Sequence, residues 1–304
     1  MGQCIYKSLV FLPPDPSYEI GTVTQGVEVT SFEWEGRHVP FALVRPVEET
    51  PNSQYVILYS HGNAEDLGQL IDLFVLFKNT LGVCVASYDY VGYGPSREEG
   101  AEPSERACFH VALAAFQHLT GQQGFDPSSV ILYGRSLGSG PTTWLGAKLS
   151  RRQVPFAGMV LQSPLTSAIA VVSDFLTHVA ADMFENIKRI SLVRRPIMIV
   201  HGRRDVVVPF AHGQRLAQVL EDIDAELEQA PDASTSSSSD ALASQRSRRL
   251  FRFVSFDSAG HNDIEIVFWQ DLAMNVGDFI AFLREDPSVL LPIAPRLWMG
   301  CISI

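Results

Sequence analysis

The sequence predicts a single doubly wound α/β domain, with a mostly parallel, eight-stranded sheet, helices on both faces and a short cap. Three observations predict it. Short apolar runs rich in Val, Ile and Leu alternate with helix-like segments from Gly26 onward. Two strands precede the first strand–helix repeat, and no internal repeat or second compositional block interrupts the rhythm. Unbroken apolarity is what strands show when helices cover both faces of a parallel sheet.

Val27–Trp34 and His38–Val44 read as an opening antiparallel pair joined through Glu35 and Gly36. Further strands are expected at Tyr55–Tyr59, Val83–Tyr88, Val130–Tyr133, Gly158–Leu161, Ile197–Val200 and Leu250–Phe256. Leu70, Leu73, Phe74, Phe77 and Leu81 recur at helical spacing, and Gly82 stops that helix. Ser104 is placed to cap a second helix running to Leu119. Other helices are expected at Leu137–Leu149, near Ala211–Leu220 and at Val267–Leu283. The stretch from Ser163 to Arg195, helical near Val171–Met183, falls where a small cap inserts and leaves a site open.

Gln229 to Arg249 breaks the rhythm with a serine run followed by Arg246, Arg248 and Arg249. Without an apolar period it cannot bury enough surface to order itself, so it reads as a disordered surface insertion. The chain then divides into an N-terminal segment (1–25), one domain (26–285, with its insertion at 229–249) and an apolar tail (286–304).

Composition narrows the function classes. The chain has 304 residues, 46% of them hydrophobic and 19% charged, enough to bury a large core. A net charge of −11 argues against a nucleic-acid binder, which needs clustered Lys and Arg to neutralise phosphates. Cys4, Cys84, Cys108 and Cys301 show no metal-type spacing, and Cys84 and Cys108 sit in apolar runs as small buried hydrophobes. His38, His110, His118, His178, His201 and His212 form no ligand pair, so no metal site is expected. No apolar run approaches membrane-spanning length, and the start lacks a secretory h-region.

The chemistry is concentrated at strand ends. Gly134-Arg135-Ser136-Leu137-Gly138 is a G-x-S-x-G between an apolar strand and a helix, with Pro141 tolerated in the first helical turn. The bare pattern arises by chance ~0.1 times in a chain this long, but strand–turn–helix context makes it the nucleophile elbow of an α/β hydrolase. A serine hydroxyl is a poor nucleophile, and the strained turn holds it exposed beside a base. Ser60-His61-Gly62-Asn63-Ala64 follows an earlier strand, where that fold supplies one oxyanion donor. Asn63 is assigned this role, with Ala64 as the alternative, and the second donor is the backbone N–H of Leu137. His61 reads as a brace for the loop. Tyr90-Val91-Gly92-Tyr93-Gly94 lacks nucleotide-cradle spacing and reads as a loop near the site.

An acid and a histidine follow in the required chain order. Asp205 lies just beyond Ile197–Val200 and His261 just beyond Leu250–Phe256, so both emerge at the same edge of a parallel sheet as Ser136. Asp263 is the rival acid, but its closeness in sequence to His261 fits poorly a partner approaching from another strand. The residues thus point to Ser136 as nucleophile, His261 as general base and Asp205 as the acid that orients it.

Together these motifs resemble the α/β-hydrolase domain-containing protein 17 family of membrane-associated acyl-protein thioesterases. The matching stretches are Phe11-Leu12-Pro13-Pro14, the runs Ser60 to Gln69 and Ser87 to Gly94, Pro103-Ser104-Glu105-Arg106, Ile131 to Ser136, Ser163 to Ser167, and Gly260 to Glu265. As an ordered set they span about residues 11 to 283. The resemblance implies hydrolysis of the thioester joining a palmitoyl chain to protein cysteine, with S-acylated proteins as substrates and no cofactor. It implies peripheral attachment to the cytoplasmic face of membranes, and its triad falls on Ser136, Asp205 and His261. Three features depart from the family pattern: a single early cysteine, Cys4, in place of a palmitoylated cluster; Arg135 where Gln is common; and the serine-rich insertion.

Met1-Gly2-Gln3-Cys4 offers another anchor, with myristoyl on Gly2 and palmitoyl on Cys4 supplying the two lipids that stable attachment needs, although Tyr6 replaces the preferred Ser or Thr. Cys301-Ile302-Ser303-Ile304 imitates a prenylation box, but Ser303 fits it poorly. The alternatives left open are a carboxylesterase, lipase or peptidase with the same triad, and a silent scaffold that has kept the fold.

Overall fold

The apolar runs become strands of one nine-stranded sheet in a computed structural model that describes residues 10–97, 100–172, 182–229 and 251–285. The strands are β1 (Val23–Thr24), β2 (Val27–Trp34), β3 (Arg37–Val44), β4 (Val56–Ser60), β5 (Cys84–Tyr88), β6 (Val130–Arg135), β7 (Gly158–Gln162), β8 (Ile197–Gly202) and β9 (Phe251–Phe256). Their spatial order is β1-β2-β3-β5-β4-β6-β7-β8-β9. The pairings of β1 with β2, β2 with β3 and β3 with β5 are antiparallel, and all others are parallel.

The strand beyond the eight expected is β1. Its two residues pair back onto β2 across Gln25 and Gly26, whose φ values of 49° and 76° give a turn matched to strand twist. Two residues carry no periodicity for a sequence to display.

The helices are α1 (Leu67–Leu81), α2 (Glu105–Gly121), α3 (Ser139–Arg151), α4 (Ala168–Val172), α5 (Asn186–Arg189), α6 (Ala211–Gln229) and α7 (Trp269–Glu285). Asp66 caps α1 by accepting the Gln69 N–H at 3.3 Å, and Gly82 ends it in the left-handed conformation at φ 67°. Ser104 caps α2 by accepting the Ala107 N–H at 3.2 Å. Helix α6 runs on past the expected Leu220 to Gln229.

Two cores lie on the two faces of the sheet. Alternate strand residues such as Leu58, Leu132, Leu161 and Ile199 join Ala112, Leu145 and Leu216 of α2, α3 and α6. Their neighbours Ile57, Ile131, Val160 and Val200 join Phe74 and Val276 of α1 and α7. This is why the central strands β4 to β8 are buried along their whole length, and each buried aliphatic or aromatic side chain contributes roughly 1.5–3 kcal/mol.

Strand β4 has β5 on one side and β6 on the other. The chain leaves the carboxyl end of β4 toward β5 and that of β6 toward β7, in opposite directions, so a crevice opens between these two strand ends, the usual place for a site in such sheets. The segment ahead of residue 26 also lies on the domain from Val10 onward: Val10, Phe11 and Tyr18 are buried, and the Phe11 ring meets Phe184 edge-on at 5.9 Å. No described helix is long and apolar enough to cross a membrane. Gly2, Cys4 and Cys301, most of the expected cap helix, the insertion beyond Gln229 and the tail 286–304 lie outside the described residues.

Candidate active site

Strand β6 delivers Ser136 to the crevice in a conformation the chain resists. Its φ of 52° is left-handed, which costs a non-glycine residue roughly 1–2 kcal/mol, and a single 3-10 turn, Ser136–Gly138, then leads into α3. The flanking glycines are required by close backbone passage. A Cβ on Gly134 would lie 2.6 Å from the Gly138 carbonyl oxygen, and one on Gly138 would overlap the Ser60 carbonyl oxygen and reach 2.6 Å from that of His61. The elbow therefore passes directly against the loop after β4. Gly138→Ala is expected to destabilise the fold by about 1–3 kcal/mol and to push these segments apart. Thermal melting with parallel fluorophosphonate labelling checks this, and a variant with unchanged melting and labelling would contradict it.

The three residues singled out on distant loops meet here. His261 Nε2 lies 3.0 Å from Ser136 Oγ, and His261 Nδ1 lies 2.7 Å from Asp205 Oδ2. Ser136 and Asp205 are buried, while His261 keeps a small opening to solvent. Asp205 Oδ1 accepts the backbone N–H groups of Val207 at 2.9 Å and Val208 at 2.8 Å. Burial by itself would raise the Asp205 pKa; hydrogen bonds from His201 and His261, the nearby His261 charge and the Val208 N–H reverse this and hold it well below the usual carboxylate range. Asp205 thus stays ionised far below neutral pH. Asp263 faces another way, accepting the Gly260 N–H at 2.7 Å.

Asn63 is placed in the loop against the elbow, but its side chain is already committed. Oδ1 accepts the Leu12 N–H at 2.9 Å and the Tyr93 hydroxyl at 2.6 Å, and Nδ2 donates to the Val10 carbonyl at 2.7 Å. What Asn63 can offer a reacting oxygen is its backbone N–H. Leu137 lies in the turn on the other side, so the two assigned donors belong to segments that pass against each other where Gly138 meets Ser60 and His61. His61 is fully buried beneath them: Nε2 lies 3.3 Å from Asp89, and Tyr90 donates to its carbonyl at 2.7 Å. Burial would lower the His61 pKa, but the Asp89 carboxylate outweighs this and raises it. The Tyr90–Gly94 loop is therefore a brace for the loop after β4.

Several supporting residues had no role assigned from the sequence. His201 Nε2 lies 3.3 Å from Asp205 Oδ2 and 2.9 Å from the Val208 carbonyl, holding the acid from behind. Glu65, Asn262 and Glu265 converge on Arg135. Tyr18 donates to Asp89 at 2.5 Å, which ties the N-terminal segment to the same brace. Among the described residues no three His, Cys, Asp or Glu side chains are grouped to hold a metal.

As an arrangement, a hydroxyl bonded to an imidazole, itself bonded to an ionised buried carboxylate, can transfer an acyl group by nucleophilic attack. The sequence matches a model of the prolyl oligopeptidase family over residues 81–257. It is 30% identical over 286 residues to human α/β-hydrolase domain-containing protein 17B, covering 86% of each chain. It is 33% identical over 217 residues to mouse α/β-hydrolase domain-containing protein 17C, covering 71% of this chain and 57% of that one. Among solved structures, esterase 2 of Thermogutta terrifontis aligns with a TM-score of 0.60 at 15% identity, covering 91% of this chain and all of that one. A puromycin-hydrolysing peptidase of Mycobacterium tuberculosis aligns at 0.56 and 17% identity, over 85% of this chain and 39% of that one.

Proposed function

The chain belongs to the α/β-hydrolase domain-containing protein 17 family, and on that premise we propose that it is a serine hydrolase that removes palmitoyl chains from protein cysteines. The observation that carries the lipid part of this reading is the rim of the site. Val206 and Val207 follow Asp205 directly, and Ile266 and Val267 follow the His261 loop, with exposures of 88%, 51%, 80% and 68%. Leu12, whose N–H bonds Asn63, is 55% exposed. Apolar side chains left in water beside a hydrolytic centre suit a substrate that is itself apolar and is presented at a membrane surface.

In this mechanism Ser136 Oγ attacks the thioester carbonyl as His261 Nε2 takes its proton. Asp205 holds the imidazole with Nδ1 protonated and stabilises the imidazolium. The oxyanion is held by the backbone N–H groups of Asn63 and Leu137, each worth roughly 3–4 kcal/mol if lost. The C–S bond breaks, and the cysteine sulfur leaves with the proton from His261. A thiol pKa of ~8.5 makes this departure easier than that of an amine. Water then gives its proton to His261 and its hydroxide to the acyl carbon, and the freed Ser136 regains a proton as the fatty acid departs. No step calls for a cofactor, and the proposed setting is peripheral attachment at the cytoplasmic face of membranes.

The test is a panel of purified substrates matched in acyl chain: cysteine thioester, serine ester and lysine amide, each with short and palmitoyl chains. Palmitoyl thioesters are expected to give the highest kcat/KM, with activity rising with chain length. Preference for short esters would assign an esterase, and cleavage of amides a peptidase. Neither result is compatible with the depalmitoylase reading.

A further inference from the structure

One buried charge in the crevice has no place in the mechanism above: the guanidinium of Arg135, the residue before the nucleophile. Its side chain is 7% exposed, and arginine is seldom buried so far without dedicated partners. Nη1 pairs with Glu65 Oε1, Nη2 donates to Asn262 Oδ1 at 2.8 Å, and Nε lies 2.6 Å from Glu265 Oε1. Burial alone would pull the Arg135 pKa down, but the carboxylates of Glu265 and Glu65 more than offset it, so the group stays charged.

The three partners come from two separate pieces of the proposed machinery. Glu65 Oε2 accepts the Gly62 N–H at 2.8 Å, one residue before the assigned donor Asn63. Asn262 directly follows His261, and Glu265 lies further along the same loop. One planar group, covalently next to Ser136, therefore links the backbone that receives the oxyanion to the loop that carries the base. Only a planar fork can bond Glu65 and Asn262 and pair with Glu265 at once; a lysine ammonium is a point charge on a flexible stem.

We propose that Arg135 is a positioning residue: through Glu65, Asn262 and Glu265 it sets the spacing between the Asn63 backbone, Ser136 and His261. The inference rests on the triad reading above. Stability alone would be a weak reason for such a cluster, because buried ion pairs replaced by apolar groups of similar volume are often neutral in stability.

The experiment compares wild type with Arg135→Lys, Arg135→Met and the triple variant E65Q/R135M/E265Q, which removes all three charges together and leaves no unpaired buried carboxylate. Readouts are kcat and KM on a thioester substrate, the rate of fluorophosphonate labelling, and Tm. Arg135→Met is expected to lower kcat and the labelling rate by about tenfold to a hundredfold with KM little changed, because reacting groups lose their alignment while binding is untouched. Arg135→Lys should fall between it and wild type. The triple variant should melt near wild type yet keep the low kcat, since the charges balance but the fork is gone. Wild-type kcat in the triple variant would overturn the proposal by reducing Arg135 to charge balance, and so would a loss that appears only in KM. A wild-type protein that neither labels nor turns over substrate would overturn the triad reading instead, and the positioning role with it.

Discussion

Ser136→Ala is expected to abolish fluorophosphonate labelling and to lower kcat by about a millionfold, the scale of loss when a triad nucleophile is removed. The size follows from the geometry. Ser136 Oγ is the hydroxyl hydrogen-bonded to His261 Nε2, at 3.0 Å, and the elbow holds it at a φ of 52°. Alanine keeps the fold and the donors near Asn63 and Leu137, so a small residual rate over water should survive. Adding His261→Ala to Ser136→Ala should cost almost nothing more, because the two side chains act as one unit and their losses do not add. Labelling that persists in Ser136→Ala would show that the attacking group lies elsewhere.

Asp205→Asn is expected to lower kcat by about ten-thousandfold with little change in Tm, through the wrong imidazole tautomer and not through misfolding. The surroundings dictate which way the amide points. The Asp205 Oδ1 position accepts two backbone N–H groups, from Val207 and Val208, so the amide oxygen must occupy it. The amide NH2 then faces His261 Nδ1 and donates to it. That places the ring proton on Nε2, where it can no longer accept the proton of Ser136. The same exchange at Asp263, whose carboxylate accepts the Gly260 N–H, should leave most activity. Comparable kcat for Asp205→Asn and wild type, or a larger loss at Asp263, would reverse the assignment of the acid.

Much of this was legible in the chain because the signals are local. Strands announce themselves by short apolar runs, α1 by its spacing and the Gly82 that stops it, and the elbow by the two glycines flanking its serine. Ser136, Asp205 and His261 could be chosen because each follows a buried strand, and parallel strands deliver such residues to one edge. The two-residue β1 and the continuation of α6 to Gln229 were not legible, since each lacks a pattern long enough to stand out from a loop.

What the chain by itself determined, then, is the sheet, the order of its strands along the sequence and the three polar residues brought to its rim. Only the tertiary structure decided how those residues are held. His201 backs Asp205, the segment from Val10 to Tyr18 grips Asn63 and Asp89, and Arg135 gathers Glu65, Asn262 and Glu265. The physical reason is range. Periodicity and capping act over a few residues, whereas a bond such as Arg135 to Asn262 spans 127 positions and exists only once the sheet has stacked the strands that carry its two ends.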